Sequence, residues 1–233
     1  MEKRLVLWDI DGTILSVNDE TSKGTFVDVF NGLFDVCISI SDLPNFSGNT
    51  DLGILKEITS NKGIDFSEVI HRKNEIWSHM LDFYQPKFTL ENVKLLSGIS
   101  ELIGHIHNDN NLVSGLVTGN NRDCAYAKLK THSLDSYFEE GAFGSDHYDR
   151  NILPRIALDR HLEIYPGVKF RYEDTLVIGD SPKDIECAKA NNMISVAVAT
   201  GNYSKEELVD YSPDLIFDDL SNLEDCMVKL GLN

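Results

Sequence analysis

The sequence predicts an α/β fold in which a Rossmann-like parallel sheet forms the core and an all-helical cap domain is inserted into it. Two observations lead to this prediction. Short apolar runs without polar alternation, typical of strands buried on both faces, alternate with helix-length amphipathic stretches from about residue 113 onward. Residues 15–87 carry only helix-like stretches, which favours a helical unit inserted after the first strand over a long structureless loop.

The predicted strands share a high content of Val, Ile or Leu, and each is followed by Gly, Asp, Thr or Asn. A weaker run near residue 143 predicts one further short strand. Alternation of strand and helix implies parallel strands joined by right-handed crossovers, with helices on both faces of the sheet. The five strong runs are Leu5–Trp8, Val113–Val117, Thr175–Ile178, Ser195–Ala199 and Leu215–Phe217.

The insert contains three stretches with helical spacing of apolar residues, at 25–36, 50–63 and 67–84. Asn61–Gly63 and Gln85-Pro86 are good helix stops. The stretch 93–106 is predicted to be a helix that returns the chain to the core. The predicted domains are therefore a core made of residues 1–14 and 88–233 and a cap made of residues 15–87.

The bulk composition limits the classes of partner. The chain has 233 residues, of which 42% are hydrophobic, and its formal charge is −17. Such an acidic surface repels phosphate backbones, so neither nucleic acid nor an anionic membrane is an expected partner. The four cysteines are widely spaced, and no apolar run approaches the roughly 20 residues of a membrane span. We therefore expect a soluble cytoplasmic protein, either a monomer or a homodimer.

Acidic and small polar residues follow three of the predicted strands. Asp9–Thr13 follows the first strand, Thr118–Asn120 the second, and Gly179–Asp184 the third strong run. The carboxyl ends of parallel strands form one edge of a sheet, which is where ligands bind in open α/β folds. Clustered carboxylates repel one another and are costly to desolvate. Because no His or Cys cluster accompanies them, a hard divalent cation such as Mg²⁺ is the expected partner.

The strings DIDGT, VTGN and GDSPKD resemble motifs I, II and IV of the haloacid dehalogenase-like phosphohydrolases in both order and spacing. The helical insert resembles the C1 cap of that family, and the phosphoglycolate phosphatase-like subgroup is the most similar in cap type and motifs. The resemblance implies a Mg²⁺-dependent phosphatase that hydrolyses a small phosphorylated metabolite through an aspartyl-phosphate intermediate.

The resemblance also implies roles for individual residues. Asp9 is the expected nucleophile, and Asp11 is the expected general acid that protonates the leaving alcohol and then activates water. The hydroxyl of Thr118 is expected to donate to the phosphoryl oxygens. The backbone N–H groups of Gly119 and Asn120 are expected to help bind the substrate at the same turn.

The metal ligands implied by the resemblance are the Asp180 carboxylate, the Asp9 carboxylate and the carbonyl oxygen of Asp11. Asp184 is expected either to be a fourth metal residue or to accept hydrogen bonds from the metal's waters. A simpler interpretation of Asp184 is equally open, because an acid in the first turn of a helix is stabilising without any metal.

The basic residue of motif III is the least regular part of the resemblance, because the KPxP string found in many members is absent. We expect Arg150 to take this place, since it lies in the right interval and an arginine can bind phosphoryl oxygens through two N–H groups. Arg155, Lys128 and Lys130 are the alternatives.

Three other functions are weighed against the phosphatase. A phosphosugar mutase of the same fold would transfer the phosphoryl group to a sugar. A dehalogenase needs no acid at the second Asp, so the Asp11–Thr13 string argues against it. A catalytically idle binding module is disfavoured by the intact set of motifs.

The string FSGNTD at 46–51 has two interpretations. It is either a helix N-cap, at Asn49 or Thr50, or a segment that faces the substrate.

Overall fold

The structure of the protein, a computed structural model, describes residues 2–17, 19–34 and 36–232, with the backbone alone for residues 19–22. The strands of this part of the chain are β1 (Arg4–Trp8), β2 (Leu15–Val17), β3 (Val93–Leu95), β4 (Leu112–Thr118), β5 (Gly141–Phe143), β6 (Leu176–Gly179), β7 (Ile194–Val198) and β8 (Leu215–Phe217). Its α-helices are α1 (Asp19–Leu33), α2 (Asp51–Lys62), α3 (Phe66–Tyr84), α4 (Ile99–Asn108), α5 (Arg122–Lys130), α6 (Leu153–Ile164), α7 (Pro182–Ala190), α8 (Lys205–Val209) and α9 (Leu223–Leu230).

Six of these strands form a parallel sheet in the order β5-β4-β1-β6-β7-β8. The five predicted strong strands and the weaker one near residue 143 all lie in this sheet, and each strong strand agrees with its prediction to within one residue at either end. The sheet and its flanking helices confirm the predicted α/β class. Strand β1 lies at the centre, between β4 and β6, so the strand order reverses beside it.

The two faces of β1 belong to different layers of the core, because successive side chains of a strand point to opposite sides. Val6 and Trp8 are fully buried in a cluster that includes apolar residues of α4, α5 and α9. Leu5 and Leu7 are buried in a second cluster with residues of α6 and α7. The absence of polar alternation in β1 therefore follows from helices that cover both faces of the sheet.

The helices of the inserted stretch largely follow the predicted ones. Helix α2 ends at Gly63, whose φ of 70° is in the left-handed region that favours glycine. Helix α3 ends at Tyr84, just before Gln85-Pro86. Helix α1 begins at Asp19, well before the predicted residue 25, because its first turns are polar and lack the apolar spacing on which the prediction depended.

The predicted helix over 93–106 is wrong in its first part. Val93–Leu95 is a strand that pairs antiparallel with Leu15–Val17, and the helix begins only at Ile99, after Gly98 with a φ of 79°. The expectation of no strand in the insert is likewise wrong for its first three residues. Each strand is too short for its period of two to be distinguished from helical spacing. Helices α1–α3 lie between these strands in the chain, and the boundaries at 15 and 87 stay a prediction.

None of the described helices is both long enough and apolar enough to cross a membrane.

Candidate active site

Three strand ends supply the polar residues of the site. Asp9 follows β1, Thr118 ends β4, and Asp180 follows β6. These strands are neighbours, and the reversal of strand order beside β1 opens a crevice at their carboxyl ends. A cavity of about 280 Å³ lies there, and its lining includes all three residues. The structure thus brings together the groups that the sequence places at separate positions in the chain.

Asp9 is a buried carboxylate beside a buried arginine. Its Oδ1 lies 3.3 Å from Arg150 Nη2, and its backbone N–H donates to the carbonyl of Ile178. Burial raises the pKa of Asp9 to about 6, and the positive charge of Arg150 opposes this effect while the carboxylate of Asp184 adds to it. The protein therefore compensates the negative charge of Asp9 only in part.

Asp9, Asp180 and Asp184 form a compact cluster, in which one carboxylate oxygen of each lies within 4.8 Å of the others. All three side chains are buried. Burial, together with the nearby charges of Asp184 and Asp9, holds the pKa of Asp180 well above its ordinary value. Such crowding of carboxylates is unfavourable unless a cation shares the site.

Both carboxylate oxygens of Asp184 accept hydrogen bonds from protein groups. Its Oδ1 lies 2.5 Å from Arg150 Nη2, and its Oδ2 accepts hydrogen bonds from the hydroxyl of Ser181 at 2.6 Å and from the backbone N–H of Ser181 at 3.1 Å. The bonds to Ser181 form a capping box at the start of α7. Asp184 therefore caps the helix, as its simpler interpretation had it, and also holds Arg150, while its two metal-related roles stay predictions.

Arg150 begins a short 3₁₀ turn that leads into α6, and its side chain is 5% exposed. Burial alone would lower the pKa of Arg150, but the carboxylates of Asp184 and Asp9 outweigh it and the pKa lies above its ordinary value. Nη1 also donates to the carbonyl of Gly48 at 3.2 Å. The guanidinium thus joins the sheet edge to the segment that precedes α2.

Asp11 is paired with a different cation, the ammonium group of Lys128. Lys128 Nζ lies 2.8 Å from Asp11 Oδ1 and 2.6 Å from Oδ2, and it also donates to Asn120 Oδ1 at 2.7 Å. Asn120 Nδ2 donates to Asp11 Oδ2 at 2.7 Å and to Thr118 Oγ1 at 2.8 Å. Of the motif III alternatives, Lys128 is therefore at the site but on Asp11, whereas Arg155 pairs with Asp159 at the surface and Lys130 is exposed.

The segment 46–51 packs directly against the loop after β4. The backbone N–H of Asp51 donates to the Gly119 carbonyl at 2.7 Å, and a Cβ on Gly119 would lie 1.9 Å from the carbonyl oxygen of Asn49. Glycine is required at 119 by this close approach. Thr50 is the N-cap of α2, as one of the two predictions had it, and Asn49 accepts a hydrogen bond from Lys183 of α7.

Gly12 is a second position at which the structure requires glycine. Its φ is 84°, and a Cβ there would lie 2.4 Å from an oxygen of Asp180. The tight turn after Asp11 brings Thr13 back to the site, where its hydroxyl lies 3.4 Å from Asp180 Oδ1. The turn between β1 and β2 therefore packs its backbone against the carboxylate that follows β6.

The inserted helices also contribute to the lining of the cavity. Phe26 of α1, Ile54 of α2 and Met80 of α3 line it, together with the buried carboxylate of Asp51. Asp51 accepts hydrogen bonds from the backbone N–H of Asn121 at 2.6 Å and from its side-chain amide at 2.9 Å. Burial raises the pKa of Asp51 to about 6 despite these bonds.

The sequence profile of the haloacid dehalogenase-like hydrolases matches residues 6–198, a span that includes every motif of the site. The chain belongs to the haloacid dehalogenase-like hydrolase family. This confirms the resemblance inferred from the three motifs, and with it the expected class of enzyme.

Named relatives of this hydrolase are phosphatases. It is 23% identical to a pyrophosphatase PpaX of Listeria monocytogenes over 218 residues, which cover 94% of this chain and 93% of the relative. It is 26% identical to a phosphoglycolate phosphatase of Salmonella typhimurium over 155 residues, which cover 66% of this chain and 58% of the relative.

Solved structures of other proteins share its fold. A predicted phosphatase from Clostridium acetobutylicum superposes with a TM-score of 0.70 at 20% identity, covering 98% of this chain and 100% of the other. A β-phosphoglucomutase from Clostridium difficile gives a TM-score of 0.69 at 20% identity, covering 100% and 98%. At 20% identity the two structures establish the architecture only, and the reaction is inferred from the residues of the site.

The donor set of the hydrolase fits Mg²⁺. Buried carboxylate oxygens of Asp9 and Asp180 face one another with no His or Cys ligand in the cluster, and hard oxygen donors are what Mg²⁺ takes. The raised pKa values of both groups show that the folded chain alone disfavours their ionised forms. A divalent cation would reverse this preference. The Asp11 carbonyl stays a predicted third ligand.

Sequence reasoning missed some residues of this site. Thr200, Gly201 and Asn202 line the cavity after β7, and the Thr200 hydroxyl donates to the carbonyl of Gly12 at 2.6 Å. The rule that ligands bind at strand ends could have found them, since they directly follow a predicted strand. Asp51 ends the string FSGNTD that the sequence marked, but its contact with Asn121 had no signal, because that contact depends on how the insert packs against the sheet.

Proposed function

We propose that this hydrolase is a Mg²⁺-dependent phosphatase that hydrolyses a small phosphorylated metabolite through an aspartyl-phosphate on Asp9. One observation carries the proposal. The buried Asp9 carboxylate lies among Asp180, Asp184 and Arg150, so it combines a reactive oxygen, a cation-binding cluster and a fixed positive charge. This combination supports attack on an anionic phosphorus centre, which an isolated carboxylate would repel.

In this mechanism an oxygen of Asp9 attacks phosphorus, and the bond between phosphorus and the leaving oxygen breaks. Arg150 compensates negative charge that develops on the phosphoryl oxygens, and the buried hydroxyl of Thr118 donates to one of them. Bound Mg²⁺ would be held by Asp9 and Asp180 and would supply further compensation of this charge. Asp184 orients Arg150 throughout, because it is bonded at both carboxylate oxygens.

Asp11 is the proposed general acid and base. It lines the cavity two residues after the nucleophile, and its side chain is 39% exposed. It gives a proton to the departing alcohol, and then takes one from the water that attacks the aspartyl-phosphate and releases inorganic phosphate. Lys128 and Asn120 take both lone pairs of Oδ2, whereas Oδ1 accepts only from Lys128 among the described bonds and keeps a lone pair for this exchange.

The helices of the insert are proposed to act as a cap, with residues 15–87 as the inserted domain. Residues of α1, α2 and α3 line the same cavity as the sheet-edge groups, so the insert covers the reaction site. A cavity of about 280 Å³ suits a small metabolite rather than a phosphorylated macromolecule. The cap residues that line the cavity include the apolar side chains of Phe26, Ile54 and Met80 and the carboxylate of Asp51.

The test is phosphate release from a panel of small phosphates, measured with Mg²⁺ and with a chelator. The panel contains p-nitrophenyl phosphate, glycerol phosphate, a hexose phosphate, phosphoglycolate and inorganic pyrophosphate. We expect Mg²⁺-dependent release, and the ranking of substrates then identifies the class of metabolite. Release that persists in chelator contradicts the metal requirement. Conversion of a hexose phosphate to its isomer without net phosphate release identifies a mutase instead.

A further inference from the structure

We propose that Lys128 is a positioning residue that sets the orientation of the Asp11 carboxyl group. This assignment rests on the proposed function of Asp11 as general acid. Lys128 lies in the last turn of α5, far in sequence from the motif that contains Asp11. It takes part in no step by itself and acts through Asp11 and Asn120.

The contact between the two residues restricts the carboxyl group in two directions. Lys128 Nζ donates to both oxygens of Asp11, at 2.8 and 2.6 Å, so rotation of the carboxyl group away from the ammonium breaks at least one hydrogen bond. Asn120 Nδ2 donates to Oδ2 at 2.7 Å from another direction. Three donated hydrogen bonds to one carboxyl group define both its position and its plane.

The same three residues form a closed network. The third hydrogen of the Lys128 ammonium goes to Asn120 Oδ1 at 2.7 Å, which fixes the orientation of that amide. The amide nitrogen then donates to Thr118 Oγ1 at 2.8 Å as well as to Asp11. The amide of Asn120 therefore holds both the proposed phosphoryl-binding hydroxyl of Thr118 and the proposed acid Asp11. Because Lys128 orients this amide, it also maintains the distance between the two groups.

The burial of Lys128 supports a specific role. Its side chain is 6% exposed, and its ammonium lies 5.8 Å from the centre of the Phe88 ring. Removing an ammonium from water is costly, and a surface lysine at the end of a helix would stabilise α5 without this cost. Lys130, two residues later in the same turn, is exposed. The helix thus offers a matched lysine that is not part of the network.

A positioned acid matters most for leaving groups that need a proton. An alkoxide is a poor leaving group and gains from protonation, whereas p-nitrophenolate departs readily without it. General acid catalysis contributes roughly 10²–10⁴-fold where it operates. Loss of the orientation of Asp11 should therefore lower turnover of an alkyl phosphate much more than turnover of p-nitrophenyl phosphate.

The experiment compares kcat for glycerol phosphate and p-nitrophenyl phosphate in wild type, K128M, K128R and the control K130M, all with saturating Mg²⁺. We expect K128M to lower kcat for glycerol phosphate by about 10²-fold, with a loss for p-nitrophenyl phosphate at least about tenfold smaller. K128R keeps a cation near Asp11 and should recover part of the difference between the substrates. K130M should match wild type on both.

A double-mutant cycle separates positioning from a general structural effect. If Lys128 acts through Asp11, K128M should add little further loss in a D11N background. Equal losses on the two substrates in K128M, or a full additional loss in the D11N background, would overturn the assignment while leaving the phosphatase in place. A wild-type protein that hydrolyses neither substrate would instead overturn the proposed function and the assignment with it.

Discussion

Asp9 and Asp11 follow the same strand two residues apart, yet the protein treats the two carboxylates differently. The side chain of Asp9 is 8% exposed, and its oxygen lies 3.3 Å from an arginine that it shares with Asp184. The side chain of Asp11 is 39% exposed and is bonded at both oxygens by Lys128. One carboxylate is buried and undercompensated, and the other is accessible and held by its own cation.

The difference follows from the direction in which each side chain leaves β1. Asp9 points into the space between β1, β4 and β6, where two other carboxylates already lie, so the guanidinium of Arg150 compensates only part of the charge and a metal cation is proposed to share the rest. Asp11 lies beyond the end of the strand, toward α5, where a flexible lysine can reach it. Two Asp residues of one motif are thereby given different chemistry by the elements that pack around them.

The largest effect that this comparison predicts is from Asp9→Asn. The amide cannot form the aspartyl-phosphate, so kcat should fall by roughly 10⁴-fold or more, whereas Asp11→Asn should retain part of the activity on p-nitrophenyl phosphate. Turnover with Mg²⁺ is measured for both variants, with thermal unfolding to check the fold. Residual activity of Asp9→Asn equal to that of Asp11→Asn would contradict the division of roles.

Arg150→Ala tests the cation on the buried side. Its loss leaves Asp9 and Asp184 buried without their partner, so we expect kcat to fall by about 10²–10³-fold and the free energy of unfolding to fall by about 3–5 kcal/mol. Both are measured, by turnover and by urea unfolding. The matched control is Arg155→Ala, because Arg155 is 70% exposed and pairs only with Asp159 in the same helix among the contacts described. Equal effects of the two variants would reject Arg150 as the motif III cation.

The sequence allowed both aspartates and Arg150 to be predicted, but not the cation that holds Asp11. Asp9 and Asp11 stand in a short motif after a strong strand, so their position at the sheet edge follows from local pattern alone. Lys128 and Arg150 reach the site from α5 and from the turn before α6, and helical periodicity does not show which basic residue of a helix turns inward. Arg150 was selected for its place in the motif order, whereas the contact of Lys128 with Asp11 required the packed structure.

The fold likewise has parts that the local sequence pattern predicts and parts that it does not. The six strands of the parallel sheet are predictable because burial on both faces leaves continuous apolar runs. The pair Leu15–Val17 and Val93–Leu95 is not, since each strand has three residues and their partner lies far along the chain. Contacts between the insert and the sheet, such as Asp51 with Asn121, are likewise nonlocal and leave no local pattern.

Asp180→Asn tests whether the undercompensated side needs a metal. Removing one carboxylate of the cluster should raise the Mg²⁺ concentration for half-maximal activity by about 10–100-fold, as loss of a metal-site group commonly does. The measurement is turnover of p-nitrophenyl phosphate against Mg²⁺. Asp159→Asn, on the exposed face of α6, is the control for a lost surface charge. A Mg²⁺ titration that superposes on that of wild type would remove Asp180 from the proposed ligands.

The smallest expected effect concerns Asp51, a third carboxylate of the site. Like Asp11 it lies near Lys128, but it is buried and its hydrogen bonds come from Asn121. Burial raises its pKa from 3.8 to about 6, against the hydrogen bonds from Asn121 and the charge of Lys128. Since the folded protein binds this proton more tightly than the unfolded chain does, its contribution to stability is lost as the pH rises from about 4 to about 6. The difference between the unfolded pKa of 3.8 and the folded pKa of about 6 corresponds to a free energy of about 3 kcal/mol at most.

Asp51→Asn removes this titration and can keep both bonds from Asn121, because they converge on one carboxylate oxygen that an amide oxygen can replace. The free energy of unfolding of each protein is measured in urea from pH 4 to pH 8, and all other titrating groups cancel in the difference. Between pH 4 and pH 7 the difference should shift in favour of the variant by up to about 3 kcal/mol. A difference that does not change with pH would mean that the bonds from Asn121 and the charge of Lys128 offset the burial of Asp51 in full. Asp51 would then give no support to the contrast between a held and an undercompensated carboxylate.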